Sequence, residues 1–357
     1  MYGPRRLVVS SMARGAGITR AVAKAPDPFE SAVKRAHRDR AARAYVSSGG
    51  DFDFLREHAA SRIVDRISDV AKDFDTALDL GCGTGSILAE LLREGIEDED
   101  GFEAPGAIRK VIQLEPSTMM ANVARERAQT LEASGRLEVE TLVCPLENCL
   151  EAVPEGSVDI VVSSLSMHWA NGLTEALQRA QRALKPDGVF IGAMLGGDTL
   201  HELRTSLAIA EQEREGGISA HVSPMIRHAD ACGLLTNAGF NLTTVDTETF
   251  TVEFGSAFKC MENLSGMGES NAVWNRRPYV SKDTFLAAAT IYEHLYGDEE
   301  GYVPATFDMV YMIGWKPHDS QPKPLKPQVA QTSLGTLGKG FDLTQHSSPR
   351  GGSPSSQ

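Results

Sequence analysis

Residues Leu78-Asp79-Leu80-Gly81-Cys82-Gly83-Thr84-Gly85-Ser86 carry an apolar run directly into three glycines on alternate positions, and this turn restricts the fold more than any other part of the 357-residue chain. Thr76 to Leu80 reads as a short buried strand. Glycine at 81, 83 and 85 removes Cβ atoms where a backbone must bend sharply and lie against a ligand. Ser86 to Arg93 reads as the helix that follows, with its first amides turned toward that ligand. The dinucleotide fingerprint asks for glycine at the first, third and sixth positions; here they fall at first, third and fifth, and Ser86 takes the sixth. A glycine turn of purely structural purpose is the plain alternative, and the rest of the chain decides between them.

Further on, Lys110 to Leu114 reads as a second strand ending in Glu115, with Pro116 and Ser117 opening a helix to about Glu132. An acid at that strand tip is placed to accept both ribose hydroxyls of a nucleotide. The spacing exceeds the roughly twenty residues of the fingerprint, and Glu94 to Ile108, rich in acids and glycine, accounts for the excess as a solvated insertion. Leu137 to Val143 is a third strand leading into Cys144, Pro145, Leu146 and Glu147. Ser157 to Ser164 is a fourth, delivering Ser163 to Trp169 to the carboxyl edge, where ligands of open parallel sheets sit. Leu173 to Leu184 has helical periodicity, and Lys185-Pro186-Asp187-Gly188 turns into the strand Val189 to Met194. Strand and helix alternate five times, which predicts an α/β, doubly wound parallel sheet.

The glycine spacing resembles the S-adenosylmethionine turn of class I methyltransferases, and the resemblance runs over about Asp75 to Leu195. Asp79 agrees with it, since a carboxylate suits a cationic methionine end and would repel a pyrophosphate. In that family the Cys144 to Glu147 segment meets the adenine edge; an Asp often stands where Cys144 is, so Glu147 is the better candidate. The cofactor residues implied are Asp79, Gly81, Gly83, Gly85, Glu115 and Glu147. Phe54-Leu55-Arg56-Glu57, the run Ser163 to Trp169, Leu195 to Arg204, Gly266 to Asn271, Val303 to Thr306 and Gly314-Trp315-Lys316 are similar to the mitochondrial arginine hydroxylases that act in assembly of respiratory complex I. This resemblance implies a doubly wound, seven-stranded Rossmann-like sheet with a helical lid, S-adenosyl-L-methionine as cofactor, and the mitochondrial matrix or the matrix face of the inner membrane. It also implies a complex I subunit as protein substrate, with hydroxylation of an arginine. Two alternatives stay open: a methyltransferase acting on a small molecule or carrier-protein carboxylate, and an assembly protein that only binds cofactor.

Net charge is −13, and the first 26 residues hold Arg5, Arg6, Arg14, Arg20 and Lys24 with no acid, so removing their +5 leaves −18 on the remainder. An acidic body excludes nucleic acid as the main partner, because phosphate binding needs clustered Lys and Arg. It suits a basic protein substrate. Residues 1–26 have the composition of a mitochondrial transit peptide. Five irregularly spaced cysteines indicate neither a disulfide framework nor a zinc site, and no apolar run is long enough to span a membrane.

Residues 27–74 read as amino-terminal helices. The first, Phe29 to Ala44, carries charges that read as a solvated face; the second covers His58 to Phe74. Residues 196–317 form a lid with the last two strands, and 318–357 read as a disordered tail. Substrate choice belongs in the lid, since grafted segments decide function on a shared core. Glu269 is the candidate to pair with a guanidinium in bidentate geometry. Asp198 and Glu202, one helical turn apart, form a second acidic candidate, and Trp274, Arg276 and Arg277 lie in the same loop region. Trp169 is a candidate substrate-side residue, and His168, with Glu269, a candidate catalytic one. His228-Ala229-Asp230 is the motif that a two-His, one-carboxylate iron site would use, but it sits at a predicted helix start, where Asp230 reads as an N-cap or surface acid. No metal site is expected.

Overall fold

A computed structural model describes residues 27–98, 101–132 and 136–322. The expected transit segment and the tail from 323 onward lie outside the described residues. The chain divides into two units, 1–318 and 319–357, and every helix and strand named here belongs to the first.

Two helices precede the sheet, α1 (Ser31–Ser48) and α2 (Phe54–Ser68). The first five strands are β1 (Thr76–Leu80), β2 (Lys110–Glu115), β3 (Glu138–Val143), β4 (Val158–Ser164) and β5 (Leu184–Leu195). Between them run α3 (Ser86–Glu94), α4 (Thr118–Glu132), the short α5 (Cys149–Ala152) and α6 (Leu173–Ala183). Then come α7 (His201–Glu215), α8 (His228–Asn237), β6 (Asn241–Phe254), α9 (Ala257–Gly266), α10 (Lys282–Tyr296) and β7 (Val303–Trp315). The strands form one seven-stranded sheet in the order β3-β2-β1-β4-β5-β7-β6. The first five pair in parallel, while β7 runs antiparallel to both β5 and β6. The order reverses beside β1, so the carboxyl ends of β1, β2 and β4 face one crevice, the place where this architecture binds ligands.

Alternate residues of each central strand feed opposite faces. Ala77, Ile160 and Val162 pack with α2, α3, α7 and α10 through Ile63, Leu88, Leu207 and Tyr292. Leu78, Val161 and Phe190 pack with α6 and α8 through Leu177 and Leu235. With both faces covered, β1 and β4 are almost wholly buried, which is why they read as aliphatic runs without polar alternation.

Several boundaries differ from the sequence expectation. The last two strands, expected from the sequence over Asn241 to Thr251 and Thr306 to Trp315, extend to Phe254 and begin at Val303 because they pair with each other over most of their length, and cross-strand pairing carries polar residues such as Glu248 and Asp308 along. Inside the acidic insertion, Ile96–Asp98 and Gly101–Glu103 form a small hairpin, and Ala104 and Ile108 are buried beyond it. The second helix ends at Ser68, and Phe74, expected inside it, is buried under Gly106.

The larger difference concerns α1. Its charges are not simply a solvated face: Lys34, His37 and Arg38 are buried with Ala41 and Ala42. Alanines let the helix lie close against α4 and α9, and the cations on the same face then point into the crevice rather than to water. The chain just before α1 is tied to the lid, since Glu30 N donates to Ala272 O at 2.8 Å and Trp274 N donates to Pro28 O at 3.1 Å.

Candidate functional site

The glycine turn adopts the left-handed backbone that its sequence demands, with φ of +83° at Gly81, +58° at Gly83 and +83° at Gly85. At Gly81 the reason is close approach: a Cβ there would stand 2.1 Å from the Ser166 hydroxyl and 2.9 Å from Leu146. Gly85 opens α3.

Asp79 lies beneath this turn at the end of β1. It is fully buried, and neither carboxylate oxygen has a hydrogen-bond partner. Burial, with Glu115 nearby, pushes its pKa up to about 8. An unpaired buried carboxylate is costly, and a ligand cation is the group that would satisfy it.

Glu115, at the tip of β2, is also fully buried but has every oxygen engaged. Arg38 Nε donates to Oε1 and Arg38 Nη2 to Oε2, both at 2.7 Å; Ser117 N donates to Oε1 at 3.0 Å and Gly83 N to Oε2 at 3.1 Å. Burial opposes the Arg38 charge, but Glu115 outweighs it and raises the guanidinium further above its ordinary range. Arg38 also donates to the Ser166 hydroxyl at 3.2 Å, bridging the ends of β2 and β4 across the glycine turn.

Beside Arg38 a cavity of about 180 Å³ is lined by Pro116, Pro145, Leu146, Glu147, Trp169 and Lys34, among others. Prolines, an aliphatic side chain and an indole suit a flat heterocycle. Glu147 Oε1 accepts from Asn171 N at 2.9 Å. Cys144 is buried, its thiol near the Pro145 and Asn148 carbonyls.

A second cavity, of about 320 Å³, opens between α7, α9, α10 and the ends of β5 and β7; Leu203, Leu207, Met261, Phe285 and Phe307 supply apolar wall, and Glu269 faces it. Glu269 is buried among donors. Trp169 Nε1 donates to Oε2 at 2.8 Å and the His168 ring meets the same oxygen at 3.2 Å. Lys34 Nζ stands 3.5 Å and Arg56 Nη2 3.9 Å from Oε1. Burial alone would raise the Glu269 pKa, yet Lys34, His168 and Arg56 together hold it well below the carboxylate range. The same burial lowers His168, against the pull of Glu269, and its Nδ1 is unpartnered. Arg56 in turn donates to Asp53 at 2.7 Å, and Thr84 of the glycine turn donates to the other Asp53 oxygen. The turn, α1, α2 and the lid thus share one buried polar network.

The sequence candidates are therefore placed unequally. Asp79, Gly81, Gly83, Gly85 and Glu115 gather at the carboxyl ends of β1 and β2, Glu147 and Trp169 line the smaller cavity, and Glu269, which meets His168 and Trp169, lines the larger. Glu202 is buried elsewhere, accepting from Thr306 N at 3.2 Å and from its hydroxyl. Asp198 is exposed and precedes α7, so the two acids do not share a helix face. Trp274 is 55% exposed. Arg276 pairs with Glu30, and Arg277 with Glu211 and Glu215. His228 meets Asp308 at 2.7 Å and Asp230 accepts from Arg227. Sequence reasoning missed Lys34, Arg38, Arg56 and Ser166. The signal available for the first two was four-residue spacing on a helix whose other inward positions are His37, Ala41 and Ala42.

Residues 78–192 match the family model described as a methyltransferase domain. The human arginine-hydroxylase NDUFAF5, mitochondrial, is 44% identical over 311 residues, covering 87% of this chain and 83% of that protein. The protein of the same name from Dictyostelium discoideum is 37% identical, covering 83% and 68%. A malonyl-[acyl-carrier protein] O-methyltransferase from Methylovorus sp. is 29% identical over 78% of this chain and 88% of its own. With identity of this extent along nearly the whole of both chains, and the sheet order and glycine turn described above, the protein belongs to the arginine-hydroxylase NDUFAF5 family, built on a class I methyltransferase fold.

Proposed function

We propose that this chain is a mitochondrial, S-adenosylmethionine-binding enzyme that hydroxylates an arginine side chain on a protein subunit of respiratory complex I, with dioxygen and a two-electron donor supplied from outside the chain, one oxygen atom entering the arginine C–H bond and the other leaving as water. The observation that carries the cofactor part is Asp79. A fully buried carboxylate with both oxygens unpaired, on the strand that runs into the glycine turn, fits the ammonium end of an amino-acid nucleoside better than any neutral ligand. Glu115 is the ribose acceptor in this reading, and Glu147 stands at the heterocycle cavity. The bound group would supply a sulfonium centre; this chain's residues bind and orient it and exclude water.

Glu269 is the acceptor for the target guanidinium, because it is the acid that faces the larger cavity and its long apolar wall would take an arginine stem. Asp198, at the surface, and Glu202, bonded to Thr306, do not share that cavity. The relatives named mitochondrial support placement in the matrix. Among the described residues no helix is long and apolar enough to cross a membrane, so contact with the inner membrane would be peripheral.

Methyl transfer to a carrier-protein carboxylate is the second reading, favoured by the 29% identity to the malonyl-carrier enzyme. Its anionic substrate would need a free cation, and Arg276 and Arg277 on the larger cavity are both held in ion pairs. Mass spectrometry of complex I subunits from cells carrying wild-type or Glu269→Gln protein tests the reading. One extra oxygen on an arginine, lost in the variant, supports it. An extra methylene identifies a methyltransferase, and unmodified subunits in assembled complex I identify a protein that only binds.

A further inference from the structure

Lys34 Nζ lies 3.4 Å from the centroid of the Trp169 indole, donates to Gly268 O at 2.8 Å and stands 3.5 Å from Glu269 Oε1. An aromatic face, a carbonyl and a carboxylate converging from three directions are the parts of a cation-recognition box. We propose that Trp169, Glu269 and the Gly268 carbonyl form the binding site for the target's guanidinium, and that Lys34 occupies it as an internal stand-in until substrate arrives. The inference rests on the arginine reading given above.

Three features favour a visiting cation over a permanent one. The box lies between the two cavities: Lys34 and Trp169 line the smaller, Glu269 the larger. Trp169 and His168 hold Glu269 Oε2 on their own, while Oε1 receives only the long Lys34 contact and the longer Arg56 one, so Oε1 is the oxygen with capacity. Arg56 has its own partners in Asp53 and the Met267 carbonyl. A guanidinium also suits the place better than an ammonium, because it is flat, stacks on an indole and is more weakly hydrated.

The charge state of Lys34 allows the exchange. Burial lowers its pKa to about 7, opposed by Glu269 and reinforced by Arg38 and Arg56. His37 on the same helix is lowered by burial to about 4, and burial also lowers His168 beside Glu269. Above pH 7 Lys34 therefore vacates the box as a charge, while an arginine stays cationic at any physiological pH.

The test uses the full chain and N-acetyl-arginine methylamide as probe, with binding followed by isothermal calorimetry and folding checked by thermal melting. Lys34→Met keeps the apolar stem and removes the ammonium. It should bind the probe about tenfold more tightly than wild type at pH 6. The matching citrulline amide should not bind, and adding Trp169→Leu or Glu269→Gln to Lys34→Met should abolish binding. In the wild-type protein, which needs no substitution to fold, probe affinity should rise from pH 6 to pH 8, with a flat profile in Lys34→Met. Equal affinity in wild type and Lys34→Met together with no pH dependence, or equal binding of the citrulline amide, would overturn the proposal. Probe binding without any oxygen added to a complex I arginine would sink the hydroxylation reading and leave the box standing.

Discussion

Arg38 and Glu115 form a two-pronged, fully buried ion pair, 2.7 Å on each arm, directly over the glycine turn. Both Glu115 oxygens are engaged while this pair is closed, so under the proposed ribose contact the guanidinium would have to shift for the cofactor to seat. Breaking one side of such a pair strands a buried charge. Arg38→Met should therefore cost about 3 to 5 kcal/mol of stability, whereas Arg38→Met combined with Glu115→Gln should cost less than the sum of the two single changes. Urea denaturation of the three variants measures this, and strict additivity would show that the pair is not coupled.

Asp79 gives the protein an unusual pH response. Its folded pKa of about 8 lies above the ordinary 3.8, so between those values the folded state holds a proton that the unfolded chain has released. Stability from this group is intact below about pH 4 and declines as pH rises toward 8, by on the order of 1 kcal/mol per unit. Asp79→Asn should remove the decline and be the more stable protein at pH 7.5, while binding S-adenosylmethionine more weakly. Cofactor binding at pH 7 should release a proton as Asp79 ionises beside the ammonium. Calorimetry in buffers of different ionisation enthalpy reads that release, and identical heats in all buffers would argue against an Asp79 contact.

At Gly81 the constraint is steric. A methyl group there meets the Ser166 hydroxyl and Leu146 in a backbone with φ +83°, so Gly81→Ala should destabilise by about 1 to 3 kcal/mol, as overpacking does. Thermal melting checks it. Gly156, equally left-handed but with nothing within 4 Å, should show only the smaller cost of the backbone conformation when changed to Ala.

How much of this was legible from the sequence depended on where the information lies. β1, β2 and β4 were readable because strands buried on both faces have to be aliphatic throughout, and the glycine turn because three left-handed positions leave glycine as the residue of choice. Asp79 and Glu115 could be named from their positions at strand ends. The partner of Glu115 could not, since Arg38 reaches it from 77 residues away on a helix that looks like a charged surface element. For the same reason Glu269 was nameable as an acid in a glycine-rich loop, while the Lys34, His168 and Trp169 side chains around it come from other segments of the chain. Local pattern carries strands and turns; it does not carry which cation a buried acid will meet.

Calorimetric titration of the full-length protein with S-adenosylmethionine tests the central claim most directly. Wild type should bind. Gly83→Arg, which drives a side chain from a φ of +58° toward Arg56, and Glu115→Ala, which removes the proposed ribose acceptor, should each bind more weakly by about 1 to 3 kcal/mol, roughly fivefold to 150-fold. Absence of binding by the folded wild-type protein, or unchanged affinity in both variants, would contradict the account.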